Sequence, residues 1–137
     1  MAQLIFDQES GSVTINGSIV YGTYFYTDRL NQFELPLADG SDVVYDGGPN
    51  IRRCLLVMKG ISYDAGIAFE DWLKTKAVFA LNDFAIISVT NGVDLGAGKG
   101  ENILEAYYAG KQSTKDVLKL VAPGTWDLTF PYKFIES

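Results

Sequence analysis

One segment of this chain has the period of a helix, and every other regular segment is a short β-type run. From Ser62 onward, apolar residues recur at intervals of three and four, as they do on one face of an α-helix. These residues are Ala65, Ala68, Phe69, Trp72 and Leu73. Ser62 is a suitable N-cap, and Glu70 stands four residues before Lys74 as a favourable ion pair. The sequence therefore predicts one helix over about 62–74, slightly weakened by Gly66.

The β-type runs are separated by turn dipeptides such as Asn-Gly, Asp-Gly and Gly-Gly. They predict strands over Ser12–Asn16, Ser18–Thr27, Ile51–Lys59, Ala77–Leu81, Phe84–Thr90, Asn102–Tyr108, Val117–Val121 and Trp126–Phe134. Asn16-Gly17 is expected to close the first hairpin, and Pro131 suggests an edge or a strand end. Ile51–Lys59 is nearly continuously apolar after Arg53, which favours a central strand. The pattern predicts one mainly β (α+β) domain over 1–137, an antiparallel β-sandwich or split barrel with one flanking helix.

The composition excludes many kinds of site. The chain has no histidine, which removes serine–histidine triads and most zinc and iron sites. Its one cysteine, Cys54, lies among apolar residues and is predicted to be buried. The net charge of −6 disfavours a sequence-reading nucleic-acid binder, because such proteins present a basic face to phosphates. The apolar runs are far shorter than the ~20 residues that cross a bilayer, and the first residues show no signal-peptide pattern. We therefore expect no enzyme, no metal, no cofactor and no membrane partner, in a chain kept in a reducing cytoplasm.

The stretch Gly92–Glu101, GVDLGAGKGE, is the strongest motif in the chain. A P-loop would need a glycine where Val93 stands and a hydroxyl where Gly100 stands. Asp94–Gly100 is similar to the D-x-G-x-G-x-G loop with which class I methyltransferases bind S-adenosylmethionine. Only 37 residues follow Gly100 (137 minus 100), too few for the remaining strand–helix units of such a fold. We expect a flexible connection whose glycines allow positive φ or close contact with a neighbour, and an S-adenosylmethionine-dependent enzyme is the second alternative.

Two further groups of residues are candidates for binding. Strand alternation would place Tyr24 and Tyr26 on one face, with Phe25 opposite. Such a surface suits sugar stacking or a protein interface, so a carbohydrate-binding module that uses Tyr24, Tyr26 or Trp126 is the first alternative function. Arg52-Arg53 could clamp a phosphate, but pairing with acidic groups of this chain or of another subunit is the commoner role.

The order of the elements resembles that of a known family of proteins. The residues that carry the resemblance are Val57–Gly60, the Ala65–Leu73 helix with Trp72-Leu73 at its end, the Ala77–Ile87 hairpin and Leu128–Tyr132. Together they look like the small β-barrel domains of tailed-bacteriophage tails, which include tail-tube, distal-tail and baseplate-hub proteins. The resemblance covers roughly Asn16 to Phe134 and implies a structural protein whose subunits assemble into rings, often sixfold, around a channel for DNA.

This resemblance leads to a specific set of expectations. The chain would be a virion protein, made in the host cytoplasm, that contacts copies of itself and other tail or baseplate proteins. The Ser18–Leu35 hairpin and the Asn91–Lys111 loop would reach adjacent subunits, and an acidic strip would face the DNA without reading its sequence. The expected interface residues are Tyr24, Tyr26, Arg29, Arg52, Arg53, Asp94, Gly96, Gly98, Lys99 and Gly100.

Overall fold

The computed structural model describes residues 2–20, 51–93, 95, 102–121 and 124–135 with their side chains, and the backbone of residues 24–28, 32–36 and 42–46. The described residues form ten strands and one helix. The strands are β1 (Ala2–Gln8), β2 (Gly11–Ile19), β3 (Tyr24–Asp28), β4 (Gln32–Pro36), β5 (Asp42–Asp46), β6 (Ile51–Ser62), β7 (Phe84–Ser88), β8 (Asn102–Tyr108), β9 (Leu118–Val121) and β10 (Thr125–Ile135). The helix is α1 (Tyr63–Thr75), so the predicted mainly β fold with one flanking helix is confirmed.

Six antiparallel strands close into a barrel, in the order β6-β2-β1-β7-β8-β10 and back to β6. β6 is central, as its sequence predicts. One of its edges pairs with β10, and the other pairs with β3 near Ile51 and with β2 near Lys59. β9 pairs with the first residues of β10, and β4 and β5 form a separate two-stranded sheet.

The interior of the barrel is filled by aromatic rings. Phe6 of β1 meets Phe130 of β10 edge to face, with ring centroids 5.3 Å apart. These strands lie on opposite walls, because two other strands separate them in either direction around the barrel. Phe69 and Trp72 of α1 also contact Phe6, at 5.0 and 5.6 Å. Phe69 also meets Phe130, at 5.5 Å. The helix therefore reaches rings on opposite walls and covers one end of the barrel, whose interior is a packed core and not a pore.

The N-cap and the ion pair that the sequence predicts for α1 are both present in the structure. The Ser62 hydroxyl accepts a hydrogen bond from the Ala65 N–H at 3.3 Å, and Lys74 pairs with Glu70 at 3.3 Å. The buried helix positions are Gly66, Phe69, Trp72 and Leu73. Ala68, which the period assigns to the buried face, is exposed, because the barrel contacts the first turns along the side that carries the glycine.

Asn16-Gly17 lies inside β2, so the hairpin turn predicted there is wrong. The chain turns instead at Glu9-Ser10, where the Gln8 side-chain oxygen accepts a hydrogen bond from the Ser10 N–H at 2.7 Å. Gly17 allows a close approach of β6: a Cβ at this position would lie 2.8 Å from the carbonyl oxygen of Lys59. The glycine therefore serves the contact between two backbones and not a turn.

The predicted strand over Ala77–Leu81 is also wrong, because these residues form turns after α1. Val78 and Phe79 both adopt the left-handed conformation, with φ of 49° and 53°. The Asn82 side chain holds the segment by donating to the Lys76 carbonyl oxygen at 2.9 Å. A left-handed β-branched residue is strained, and such strain persists only where the surrounding structure imposes it.

Pro131 lies within β10 and not at a strand end. Its carbonyl oxygen accepts from the Ala109 N–H at 3.1 Å, which shows that the polar backbone groups of Pro131 face the β8 side. Two residues earlier, the Thr129 N–H donates to the Val117 carbonyl oxygen at 2.8 Å on the β9 side. The proline nitrogen thus lies between the parts of β10 that pair with β9 and with β8, where no backbone N–H is needed as a hydrogen-bond donor.

Candidate interaction surfaces

The glycine loop connects β7 to β8, which are antiparallel neighbours. A methyl-donor loop instead joins a strand to a helix in a parallel sheet, so this fold does not provide the setting that such a loop uses. Leu95 is fully buried, and its carbonyl oxygen accepts a hydrogen bond from the buried Tyr132 hydroxyl. The connection is therefore anchored to the barrel core at Leu95, and Val93 also packs against the core. The predicted interface residues of this loop, Asp94, Gly96, Gly98, Lys99 and Gly100, lie outside the described residues.

The register of β3 departs from the regular alternation that would place positions 24 and 26 on one face. Tyr24 pairs with Cys54 and Tyr26 pairs with Arg53, so two steps along β3 match one step along β6. Directly opposed residues lie on the same face of a sheet, whereas successive residues of one strand lie on opposite faces. This bulge therefore assigns the positions of Tyr24 and Tyr26 to opposite faces. The nearby candidate Arg29 lies outside the described residues.

The two arginines of β6 are not arranged as a clamp. Arg52 and Arg53 are successive strand residues and lie on opposite faces of the barrel wall. Arg53 is directly opposite Lys133 of β10, and both are partly exposed. The structure thus brings Arg53 together with a lysine that the sequence analysis does not single out.

The described residues contain no arrangement typical of a catalytic centre. No group of three or more potential metal ligands is found among them. Surface depressions in this part of the chain include one of about 430 Å³ and one of about 120 Å³. The larger is lined by Val78, Phe79, Ala80, Leu81 and Gln112, and the smaller by Glu105, Tyr107 and Ile135. Neither brings together the paired acid and base that general acid–base catalysis needs. In the same residues, no helix has the length and apolar character to span a membrane.

A contiguous apolar surface lies where α1 begins, and we call Tyr63, Ile67, Leu120 and Trp126 the helix-end patch. The ring of Tyr63 stacks on that of Trp126, with centroids 5.8 Å apart and planes inclined by 23°. Leu120 is the cross-strand partner of Trp126, and Ile67 follows Tyr63 by one helical turn. Tyr63 is 50 % exposed, Ile67 43 % and Leu120 51 %. Isolated exposed apolar residues are ordinary, but a joined group of this kind is typical of an interaction site.

Glycine at position 66 makes the helix-end patch possible. A Cβ there would lie 2.1 Å from Cδ1 of Trp126, so the indole lies directly on the helix backbone. The indole N–H also donates to the Tyr63 carbonyl oxygen at 3.0 Å, which fixes the orientation of the ring. A register shift in β10 between Trp126 and Leu128 brings this tryptophan onto the helix. Gly66 is thus a packing requirement, whereas the sequence analysis treats it only as a weakness.

Strands β4 and β5 form a second candidate surface, which we call the ribbon. In the described part of the chain it is hydrogen-bonded to no other strand. Phe33 is opposite Tyr45, and Leu35 is opposite Val43. Because alternate residues of a strand share a face, these four positions form one apolar face of the ribbon. The signal for it in the sequence is the alternation of QFELP and DVVYD around Asp39-Gly40.

The ribbon and the helix-end patch belong to opposite ends of the barrel. The ribbon lies between β3 and β6 and is inserted at the end of the barrel where Asp28 pairs with Ile51. The helix follows directly from the other end of β6, at Ser62.

No protein-family model matches the chain, and no significant similarity to a curated protein or to a solved structure is found.

Proposed function

We propose that this chain is a structural subunit of a bacteriophage tail or baseplate that assembles through copies of itself into a ring, sixfold as the family resemblance implies. The observation that carries the proposal is the ribbon. A two-stranded hairpin is at best marginally stable in water, and a third strand or a packed surface is needed to stabilise it. The ribbon pairs with no other strand among the described residues, and we propose that a second subunit supplies the surface that stabilises it.

The packed interior of the barrel also supports the proposal. Its interior is filled by side chains such as Phe6, Phe130 and Tyr132, so the interior has no room for a ligand in the described residues. Function must then lie on the surface, where the helix-end patch is exposed. A channel for DNA would be formed between subunits and not through one barrel. The net charge of −6 suits a channel wall along which phosphates pass without binding.

The test is the mass of the protein in solution as a function of concentration. We expect sedimentation velocity and light scattering to show a closed oligomer with a defined number of 15.0 kDa subunits. Replacing residues 32–46 by a short Gly-Ser linker should yield a monomer that still unfolds in one cooperative transition, because the barrel is a separate sheet. A wild-type protein that stays monomeric at every concentration, and binds no partner in tail extracts, would refute the proposal.

A carbohydrate-binding module is the second candidate, and the stacked pair of Tyr63 and Trp126 is the observation that favours it. A half-exposed aromatic ring on a rigid support can stack against a pyranose. A glycan array separates the two candidates. Selective binding that Tyr63→Ala abolishes would support the module, whereas a ring subunit should bind no glycan selectively.

A further inference from the structure

We infer that Asn91 is a site of spontaneous deamidation in the folded protein, and that the fold protects the same dipeptide at Asn16. The chain contains two Asn-Gly dipeptides, Asn16-Gly17 and Asn91-Gly92. Both asparagines are exposed, so access of water to the side chain does not distinguish them. The backbones of the two dipeptides differ, and the reaction takes place on the backbone. The inference is independent of the proposed function, since it needs no partner.

The reaction requires only the asparagine side chain, the next backbone nitrogen and water. That nitrogen forms a bond to the asparagine Cγ, the Cγ–Nδ2 bond breaks, and the backbone amide proton leaves with the side-chain nitrogen as ammonia. Water then opens the cyclic succinimide at one of its two carbonyl groups, which leaves an aspartyl or an isoaspartyl residue. No oxidant takes part. Glycine favours the first step because it has no Cβ to obstruct the approach of its nitrogen.

Asn91-Gly92 lies in an exposed turn between β7 and β8. Neither residue belongs to a strand or helix, and Gly92 adopts a φ of 86°. Among the described residues, no atom would lie within 4 Å of a Cβ at Gly92, so the backbone has room to move. Hydrogen bonds of exposed turns open at almost no cost in free energy, so the contacts of Gly92 do not withhold its nitrogen from the reaction. The turn can therefore adopt the bent geometry that a five-membered ring needs.

Asn16-Gly17 is held in an extended strand that has a neighbour on each side. Asn16 pairs with Gln3 of β1, and Gly17 pairs with Ala2. On the other side, a Cβ at Gly17 would lie 2.8 Å from the Lys59 carbonyl oxygen of β6. Ring closure needs the nitrogen and Cβ on the same side of the Cα–C bond, whereas a strand with ψ of about 135° holds them apart. The strand must leave the barrel before it can react, and this costs much of the free energy of unfolding.

Deamidation at Asn91 would alter the start of the glycine loop. Just before the turn, the Thr90 hydroxyl accepts a hydrogen bond from the Gln3 N–H at 2.9 Å, and its carbonyl oxygen accepts one from the Ser88 hydroxyl at 2.8 Å. Beyond the turn, Leu95 is fixed in the core. An isoaspartyl residue adds one carbon to the backbone between these two anchors. Either product also adds a negative charge to a chain whose net charge is −6.

The test compares the two dipeptides within one protein. The full chain is incubated in mildly alkaline buffer made with heavy-oxygen water, and its peptides are followed over time by mass spectrometry. Heavy oxygen marks each residue that is converted during the incubation. We expect Asn91 to be converted at least roughly tenfold faster than Asn16, the effect of a difference of about 1.4 kcal/mol in the free energy of opening. In concentrated urea the two rates should become similar, because both dipeptides then lie in an unfolded chain.

Two further asparagine positions serve as controls. Asn91→Gln lengthens the side chain by one carbon, so the reaction would need a six-membered ring and conversion at this position should stop. The melting temperature should not change, because Asn91 is exposed. Asn82 precedes an aspartate, and its amide donates to the Lys76 carbonyl oxygen at 2.9 Å, so it should be converted more slowly than Asn91 in the folded protein.

Three results would overturn the inference. If the folded protein converts Asn16 as fast as Asn91, the strand gives no protection. If Asn91 is converted no faster than Asn82, the exposed turn does not favour the reaction. If Asn91 remains tenfold faster than Asn16 in concentrated urea, the neighbouring residues in the sequence cause the difference and the fold does not.

Discussion

The packing of Trp126 on Gly66 gives a prediction in which one substitution changes sign with its background. In an exposed helix, Gly→Ala raises the free energy of unfolding by about 1 kcal/mol. Here the added Cβ would lie 2.1 Å from the indole, and the ring would have to move away. Overpacking of this kind costs about 2 kcal/mol, and loss of the hydrogen bond to the Tyr63 carbonyl oxygen about 1 kcal/mol. Gly66→Ala should therefore lower the free energy of unfolding by about 2 kcal/mol.

The same substitution in a Trp126→Ala background meets no ring and should raise the free energy of unfolding by about 1 kcal/mol. Urea unfolding followed by circular dichroism measures all four proteins of the cycle. Ala68→Gly is the helix control: Ala68 is exposed, so its loss of about 1 kcal/mol should be equal in both backgrounds. If Gly66→Ala stabilises the wild type as much as it stabilises the Trp126→Ala protein, the tryptophan does not lie on the helix backbone as described.

Three further predictions concern other parts of the fold. Gly17→Ala should lower the free energy of unfolding by about 2 kcal/mol in urea, because its Cβ would lie 2.8 Å from the Lys59 carbonyl oxygen. A neutral result would show that the backbone of β6 does not lie this close to Gly17. Val78→Asn should raise the free energy of unfolding by about 1 kcal/mol, because asparagine tolerates the φ of 49° that strains valine. The melting temperature should rise accordingly, and a fall would show that no strain is relieved. Burial, and secondarily Asp116, raise the pKa of Tyr108 above 10.0, so its contribution to stability is complete below pH 10 and is lost as the pH rises further. Urea titrations at pH 8–11 should show a steeper alkaline loss for the wild type than for Tyr108→Phe, and equal slopes would contradict the shift.

The local signals in the sequence predict the elements that depend on near neighbours. The helix from Ser62, its cap and its Glu70–Lys74 pair follow from spacing alone, because each interaction spans three or four residues. The strand Asn102–Tyr108 matches β8 at both ends, and the apolar run after Arg53 indicates the central strand β6. The mainly β class, with one flanking helix, follows from the same evidence.

Glycines and turn residues could not be interpreted in this way, because their role depends on what passes close to them. Gly17 has the sequence of a hairpin turn, yet the backbone of β6 lies against it. Gly66 has the propensity of a helix breaker, yet the ring of Trp126 requires it. The glycine loop has the sequence of a cofactor site, yet it joins two antiparallel strands. Each of these contacts spans more than 10 residues of chain, and no local pattern records it.

The candidate surfaces show the same difference between local signals and contacts of residues distant in sequence. The sequence by itself determined the class of the fold, its one helix, its acidic charge and the absence of histidine chemistry. Only the tertiary structure joined Tyr63, Ile67, Leu120 and Trp126 into one patch, because a helix, a bulged strand and an edge strand meet there. It also placed the ribbon at the opposite end of the barrel. Residues distant in sequence become neighbours only when the barrel closes, and the physical reason is that burial of the aromatic core selects one register for every strand.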